Sequence, residues 1–571
     1  MKQAEIVDTL PAHLRPFVKT QDYNHYTARD HAVWRFVMQH LTQQLCATAH
    51  PVYMEGLART GISLQHIPSI EEMNDCLVQL GWRAVVVDGF IPPAIFMEFQ
   101  ALKVLVIALD MRSVDHVFYT PAPDIVHESA GHAPFIVDVD YAEYLQRFGE
   151  IGMQAIATQA DMDVYEAIRH LSIVKACPDS NKRDIDNAEQ VLQQVSEANT
   201  ELSEASLLAR LHWWTVEYGL VGEVSDYRIF GAGLLSSLGE SSLCLDDSKV
   251  KKLPLTVDAV NYAYDITREQ PQLFVTKSCK HLSQVLEEFA SAMCFKRGGA
   301  SSLKKAIKAG SICTARYDTG VQVSGRISDV LCDAVGNAIY LRTSGPTQLA
   351  WGDREIYQHG TEFHAAGFGS PIGNLKDFSR CLSQYTIDEL RAHNIVIGER
   401  ATLEYLSGIT VSGQLRQVYR QEHRNMILSF DDCTVTDLAG NTLFEPAWGA
   451  YDLAVGSNIE SVYGGVADRE KLQLYRPTAA SETIPVEPDT TLMSLYASVA
   501  RLRTSANQNT RGQLQALLDA LPAYPQEWLL RSELLDVADA ESESVLRREL
   551  QDMARNNVKL QRVIHLALES A

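Results

Sequence analysis

The sequence predicts a multidomain protein: a mainly α (α+β) N-terminal half, a β-rich duplicated module and a C-terminal helical segment. Three observations predict it. The chain has 571 residues, well beyond one ordinary domain. Apolar residues recur at helical spacing through much of the first 300 residues. From about 310 to 470, β-branched runs alternate with Gly, Asn and Asp, as strands and turns do. The 46% hydrophobic content excludes a mostly disordered chain.

Taken in order, the segment 27–45 places Ala32, Val33, Phe36, Val37, Leu41 and Leu45 on one helical face. Residues 82–87 and 104–109 read as short buried strands or helix cores. Residues 182–220 read as one long helical pattern. Arg297-Gly-Gly-Ala-Ser-Ser reads as a linker. In the β-rich region, Thr319-Gly-Val-Gln-Val-Ser-Gly-Arg-Ile327 parallels Ser407-Gly-Ile-Thr-Val-Ser-Gly-Gln-Leu415. Asn337 and Asn425 repeat the offset of 88 residues, and Gly360 and Gly449 follow at 89. Residues 475–490 read as a second linker. Leu546, Leu550, Met553, Asn557, Leu560, Ile564 and Ala567 form a heptad-like seam. That seam fits packing on its own domain or a homo-oligomer joined through the C-terminal helix. The expected domains are 1–300, with a helical insertion at about 165–205; 301–475, with repeats at about 310–375 and 400–465; and 476–571.

The charge balance narrows the partners. Lys and Arg number 50 against 72 Asp and Glu, a formal charge of −22. No nucleic-acid or anionic-membrane footprint is expected. No apolar run approaches the roughly 20 residues of a membrane helix, and the first 16 residues carry no signal pattern. A cytoplasmic location is expected. Ten scattered cysteines, none in a CxxC pair, read as reduced structural thiols.

The chemistry concentrates in Phe118-Tyr-Thr-Pro-Ala-Pro-Asp-Ile-Val-His-Glu-Ser-Ala-Gly-His-Ala-Pro-Phe135. His127 and His132 are five apart, so an α-helix would turn them to different faces. They are expected to converge only if the helix ends between them, at Gly131 and Pro134. Glu217 has apolar helical neighbours: Trp213, Trp214, Leu220 and Val221. A buried carboxylate needs a cation or a metal. Two imidazoles with one carboxylate make the triad that holds non-haem Fe(II) with open positions. A core Glu paired with a distant Arg is the alternative. The β-rich region shows no clustered His, Cys or carboxylate pattern, and so reads as a binding or assembly module.

Several blocks then carry a resemblance: Tyr26-Thr-Ala-Arg-Asp-His-Ala-Val-Trp34, Tyr119-Thr-Pro-Ala-Pro-Asp124, His127-Glu-Ser-Ala-Gly-His132, Trp214-Thr-Val-Glu-Tyr-Gly-Leu220 and Gly231-Ala-Gly-Leu-Leu-Ser-Ser237 with Gly239-Glu240. In this order, residues from about 20 to 295 resemble the catalytic domain of the pterin-dependent aromatic amino acid hydroxylases, most of all their phenylalanine 4-monooxygenase branch. The resemblance implies an oxidoreductase that uses Fe(2+), tetrahydrobiopterin or a related tetrahydropterin, and O2 to hydroxylate an aromatic amino acid, in the first instance L-phenylalanine. Tryptophan, tyrosine or another ring position remains the near alternative, and a metal-dependent hydrolase a distant one.

The resemblance also implies roles. His127, His132 and Glu217 match the iron ligands. Arg112 matches the grip on the substrate carboxylate, Asp124 its orienting partner, and Thr120 and Ser236 accessory positions around the amino acid. Trp213 falls in the aromatic wall. Phe96 and Glu128 match pterin contacts. Three departures stand out. His132 and Glu217 are 85 residues apart, about twice the family's habit, which the insertion explains. No regulatory domain of the animal type is expected before residue 20. His212 stands where relatives often have an aromatic residue beside the pterin.

Overall fold

The computed structural model describes residues 2–87, 89–118, 123–177, 180–266, 269–477, 489–504 and 510–569. The helix Ala28–Thr48 runs through the N-terminal half. Its start is set by a capping box: Thr27 Oγ1 accepts from Asp30 N, and the Asp30 carboxylate accepts from Thr27 N. Its apolar face, Val33, Phe36, Val37, Leu41 and Leu45, is buried.

Two small sheets flank the site. In the first, Arg83–Val87 pairs parallel with Val104–Ala108, and the helix Pro93–Ala101 makes the crossover. In the second, the strand order is Asp226–Ile229, Leu220–Glu223, Gln272–Thr276, Lys251–Pro254.

The expected long helix over 182–220 is broken. Lys182–Ala198 pairs with Gln159–Ala176, and a new helix, Glu204–His212, starts at an Ser203 cap. Asp161 Oδ1 accepts from both Asn199 Nδ2 and Ser206 Oγ, which pins the break. Local polar side chains outcompete helix continuation there. The expected linker at Arg297 is likewise a tight joint. Gly298 and Gly299 take φ of 56° and 68° between the helices Cys294–Arg297 and Gly299–Ala309.

Two helix-plus-meander units follow. The helix Gly299–Ala309 leads to strands Ile312–Tyr317, Val321–Cys332 and Ala338–Trp351. The helix Ile387–Ala392 leads to Arg400–Glu404, Thr410–Gln421 and Arg424–Thr436. Helices and first strands both start 88 residues apart, at 299 and 387 and at 312 and 400. The strand Ile459–Gly464 returns to pair with Ile312–Tyr317, so in sequence the second sheet is inserted between strands of the first. One expectation for this region fails: His359, His364 and Asp452 come together as a buried cluster. Asp452 lies on the strand Tyr451–Ala454, whereas both histidines lie in the connection between Arg354–Glu355 and Gly369–Pro371, so only the fold brings the three together.

The β-rich region is fastened to the N-terminal half. Gly464 N donates to Gln154 O at 3.0 Å, and a Cβ at 464 would lie 2.3 Å from Ala155 O. Arg469 Nη1 meets Glu98 Oε2 at 2.8 Å, and its Nη2 donates to Met153 O at 2.9 Å.

The chain then returns to where it began. Helices Thr490–Thr504, Thr510–Ala520, Trp528–Leu535, Ala540–Asn556 and Val558–Glu569 share one apolar core with the N-terminal half. Trp528 packs its edge on Phe36 at 5.0 Å. The heptad-like seam is not continuous. It breaks at Asn557, with φ −140° and ψ 104°, and folds into a hairpin. Arg547 Nη1 donates to Leu568 O across that hairpin. Leu546, Leu550, Ile564 and Ala567 are buried inside the chain. Of the two readings of the seam, these four residues follow the first, packing within the chain itself. Most of the expected linker at 475–490 lies outside the described residues. Among the described residues no helix is long and apolar enough to cross a membrane, and all ten cysteines are free thiols.

Candidate active site

His127 and His132 lie on one π-helical turn, Val126–His132. The helix does not end between them, as the spacing alone would require. It widens, and a winding closed by i→i+5 bonds aligns residues five apart. Glu217 ends a second π-helical turn, Trp213–Glu217, closed by Tyr218 N donating to Trp213 O at 2.9 Å. Gly231 lets the helix Ala232–Leu235 press against this turn: a Cβ there would lie 2.5 Å from Glu217 O.

The three side chains converge. His127 Nε2 and His132 Nε2 are 3.1 Å apart, and each lies 3.3 Å from a Glu217 carboxylate oxygen. Among the described residues, no Lys or Arg pairs with Glu217. Burial pushes the Glu217 carboxyl up, but His132 and His127 outweigh it and hold it well below the usual carboxylate range. A desolvated carboxylate facing two imidazole nitrogens at this spacing fits a divalent metal, and the two-nitrogen, one-oxygen donor set suits Fe(II).

Supporting side chains orient this centre. The single Ser236 hydroxyl proton goes to Ala232 O at 2.7 Å, so Ser236 Oγ accepts from His127 Nδ1 at 3.0 Å. The proton thus sits on Nδ1 and Nε2 is left free to bind. Arg112 is fully buried against Asp124: Nε to Oδ2 at 2.6 Å and Nη2 to Oδ1 at 2.9 Å. Its Nη1 donates to Ser236 O at 2.9 Å. Among the described residues three of its five N–H groups are thereby used, which leaves two for a ligand. Asp124 Oδ1 also accepts from His127 N at 3.0 Å, which couples the arginine to the first histidine.

The remaining expected residues fall around the same cavity, about 1600 Å³, which Phe96, Arg112, Glu128, Trp213 and the triad all line. Glu128 Oε2 lies 4.0 Å from His132 Nε2. Burial pushes Glu128 up to about 8; His132 opposes this, while Glu217 and Asp124 add to it. Phe96 meets His212 edge-on at 6.0 Å. Burial pushes His212 down to about 4; Glu217 opposes this, while His132 and His127 add to it. Thr120 lies outside the described residues.

Sequence reasoning missed part of the wall. Trp213 is sandwiched between Tyr218 at 4.7 Å and Tyr264 at 4.4 Å. Tyr264 sits in an irregular loop, where no periodicity marks it. The cavity is also lined by Tyr165 and Leu192 of the paired helices and by Gly465 and Tyr475 at the end of the β-rich module. Regions outside the motifs therefore help enclose the site.

The N-terminal half of the chain is similar to known proteins. The family model for biopterin-dependent aromatic amino acid hydroxylases matches residues 19–174 and 186–297. Phenylalanine-4-hydroxylase of Chromobacterium violaceum is 29% identical over 268 residues, covering 47% of this chain and 75% of its own. The Ralstonia nicotianae phenylalanine-4-hydroxylase is 29% identical over 272 residues, covering 47% and 73%. A solved structure of the Chromobacterium violaceum phenylalanine hydroxylase, with bound iron(III) and 7,8-dihydrobiopterin, is 26% identical. It covers 51% of this chain and 91% of its own, with a TM-score of 0.39.

Proposed function

Because residues 19–174 and 186–297 belong to the biopterin-dependent aromatic amino acid hydroxylase family, we propose that the chain is an Fe(II)- and tetrahydropterin-dependent monooxygenase converting L-phenylalanine and O2 to L-tyrosine. The observation that carries this reading is the buried convergence of His127, His132 and Glu217 beside the Arg112–Asp124 pair. Residues 1–300 are the catalytic unit, 301–475 the duplicated β-module and 476–571 the helical return.

His127, His132 and Glu217 would hold the metal from one side, leaving the cavity side open. Iron and the reduced pterin, when bound, supply the activation of O2 that lets one oxygen atom enter an aromatic ring. The chain's own work is positioning. Arg112, held rigid by Asp124, offers its two remaining N–H groups to the amino acid carboxylate. Trp213, stacked with two tyrosines, is a rigid part of the aromatic wall of the cavity. Phe96 and Glu128 line the pterin side. The walls contributed by the paired helices and residues 465–475 restrict water.

The test is anaerobic loading with Fe(II), then turnover with L-phenylalanine, a tetrahydropterin and O2. Tyrosine, identified by mass spectrometry, is the expected product. Parallel reactions with L-tryptophan and L-tyrosine decide which ring the site prefers. Iron-loaded protein that yields no tyrosine from L-phenylalanine rejects the assignment.

A further inference from the structure

We propose that His359, His364 and Asp452 form a second metal site, within the β-module, for a divalent transition-metal ion of the zinc and iron type. His359 Nδ1 and His364 Nε2 are 3.2 Å apart, and they lie 3.7 and 3.8 Å from Asp452 Oδ2. All three residues are at least nine-tenths buried. The point equidistant from those three atoms is about 2.1 Å from each, the length of a zinc–imidazole or zinc–carboxylate bond.

The fold builds this site rigidly. His359 O accepts from Leu349 N at 2.9 Å and His364 O from Thr347 N at 3.1 Å, which ties both histidines to the strand Ala338–Trp351. Phe363 packs its edge on both rings, at 5.6 and 4.9 Å. Asp452 comes from the other half of the duplication, on the strand Tyr451–Ala454 that pairs with Arg424–Thr436. Asp452 follows His364 by 88 residues, the offset that relates the two halves. An ion here joins the two repeats.

A proton shared between the two imidazoles is the simpler account, and it fails on one atom. Ser429 Oγ satisfies Asp452 Oδ1, but Oδ2 is buried and, among the described residues, accepts no hydrogen bond. Both histidines are too far from it to donate. Among the described residues, no Lys or Arg pairs with Asp452. A buried unpaired carboxylate oxygen aimed at two imidazole nitrogens calls for a cation. The donor set selects its class. Mg2+ and Ca2+ take oxygen ligands, and Cu(I) and iron–sulfur clusters take thiolates. Two nitrogens and one oxygen suit Zn2+, Fe2+ or Co2+, with a position left for water.

The experiment uses the full chain stripped of metal, with Co2+ and Zn2+ as probes. Unmodified protein is expected to bind two equivalents of Co2+, each with visible d–d absorption. The variant Asp452→Asn, which keeps the side-chain shape, is expected to bind one. A second chain carrying His132→Ala and Glu217→Ala empties the first site and is expected to retain one equivalent. Adding His364→Gln to that chain removes it, along with the rise in Tm that Zn2+ otherwise produces. Circular dichroism confirms that each variant is folded. One equivalent in the unmodified chain, or unchanged stoichiometry in the Asp452→Asn variant, overturns the proposal. Metal analysis of protein as purified then separates zinc from iron as the natural occupant.

Discussion

Arg35 and Glu533, 498 residues apart in sequence, form a buried two-point ion pair: Nε to Oε1 at 3.1 Å and Nη2 to Oε2 at 2.5 Å. Arg503 reaches the same carboxylate at 3.1 Å. The pair lies between the first long helix and the C-terminal helices, inside their common core. The end of the chain therefore shares the core of the catalytic half, with the β-module between them in sequence.

Breaking this pair should cost more than removing a surface contact. Glu533→Ala leaves the Arg35 guanidinium buried with a backbone carbonyl, Gln65 O, as its remaining partner. A loss of about 3–5 kcal/mol is expected in denaturant unfolding. A change under about 1 kcal/mol, the scale of a surface pair, would show that the C-terminal helices do not stabilise the catalytic half. Truncation after residue 300 should likewise lower Tm, because it uncovers Phe36 and Arg35.

Asp124→Asn tests how the arginine is held. The amide presents an NH2 to the Arg112 N–H groups where a carboxylate oxygen now accepts them. The guanidinium loses its fixed orientation while the metal ligands stay in place. KM for L-phenylalanine should rise about 10- to 100-fold, the weight of charge-assisted hydrogen bonds, with iron content unchanged. Steady-state kinetics and metal analysis on the same preparation check both halves.

Ser236→Ala tests the orientation of His127. Without the hydroxyl, nothing fixes the proton on Nδ1 or the ring plane. Fe(II) affinity should fall about 10- to 100-fold, as for other partners of metal-bound histidines. Anaerobic Fe(II) titration measures this. A raised KM for the amino acid at full iron loading would place Ser236 on the substrate instead.

Glu240 supplies a pH dependence away from the metal ligands. Burial pushes its carboxyl up to about 7, Glu269 adds to this, and a hydrogen bond from Tyr218 opposes it. The folded state thus holds the proton more tightly than the unfolded chain does. The stability it contributes is complete below about pH 4.5 and is lost as pH rises through about 7. The span corresponds to about 3 kcal/mol. Glu240→Gln should flatten the fall in stability across that window, as read from Tm at a series of pH values.

The sequence by itself determined the donor types and their order. His127, His132 and Glu217 were legible because buried apolar neighbours around a carboxylate demand a cation, and family motifs surround all three. Asp124 was legible from the same motifs, and Arg112, Phe96 and Trp213 from the family resemblance those motifs carry. The 88-residue repeat was legible because strand and turn residues recur at one offset. What tertiary structure decided is geometry between distant segments. His127 and His132 converge through a π-helical turn, and sequence spacing favours no such winding by itself. Asn557 ends a seam whose heptads would run on, and both arms of the hairpin then pack into the common core. Asp452 meets His359 and His364 because strand register carries it there, and Glu533 meets Arg35 because the last helices close over the first. Both of these last pairings join groups far apart in sequence, so only the completed fold brings them together.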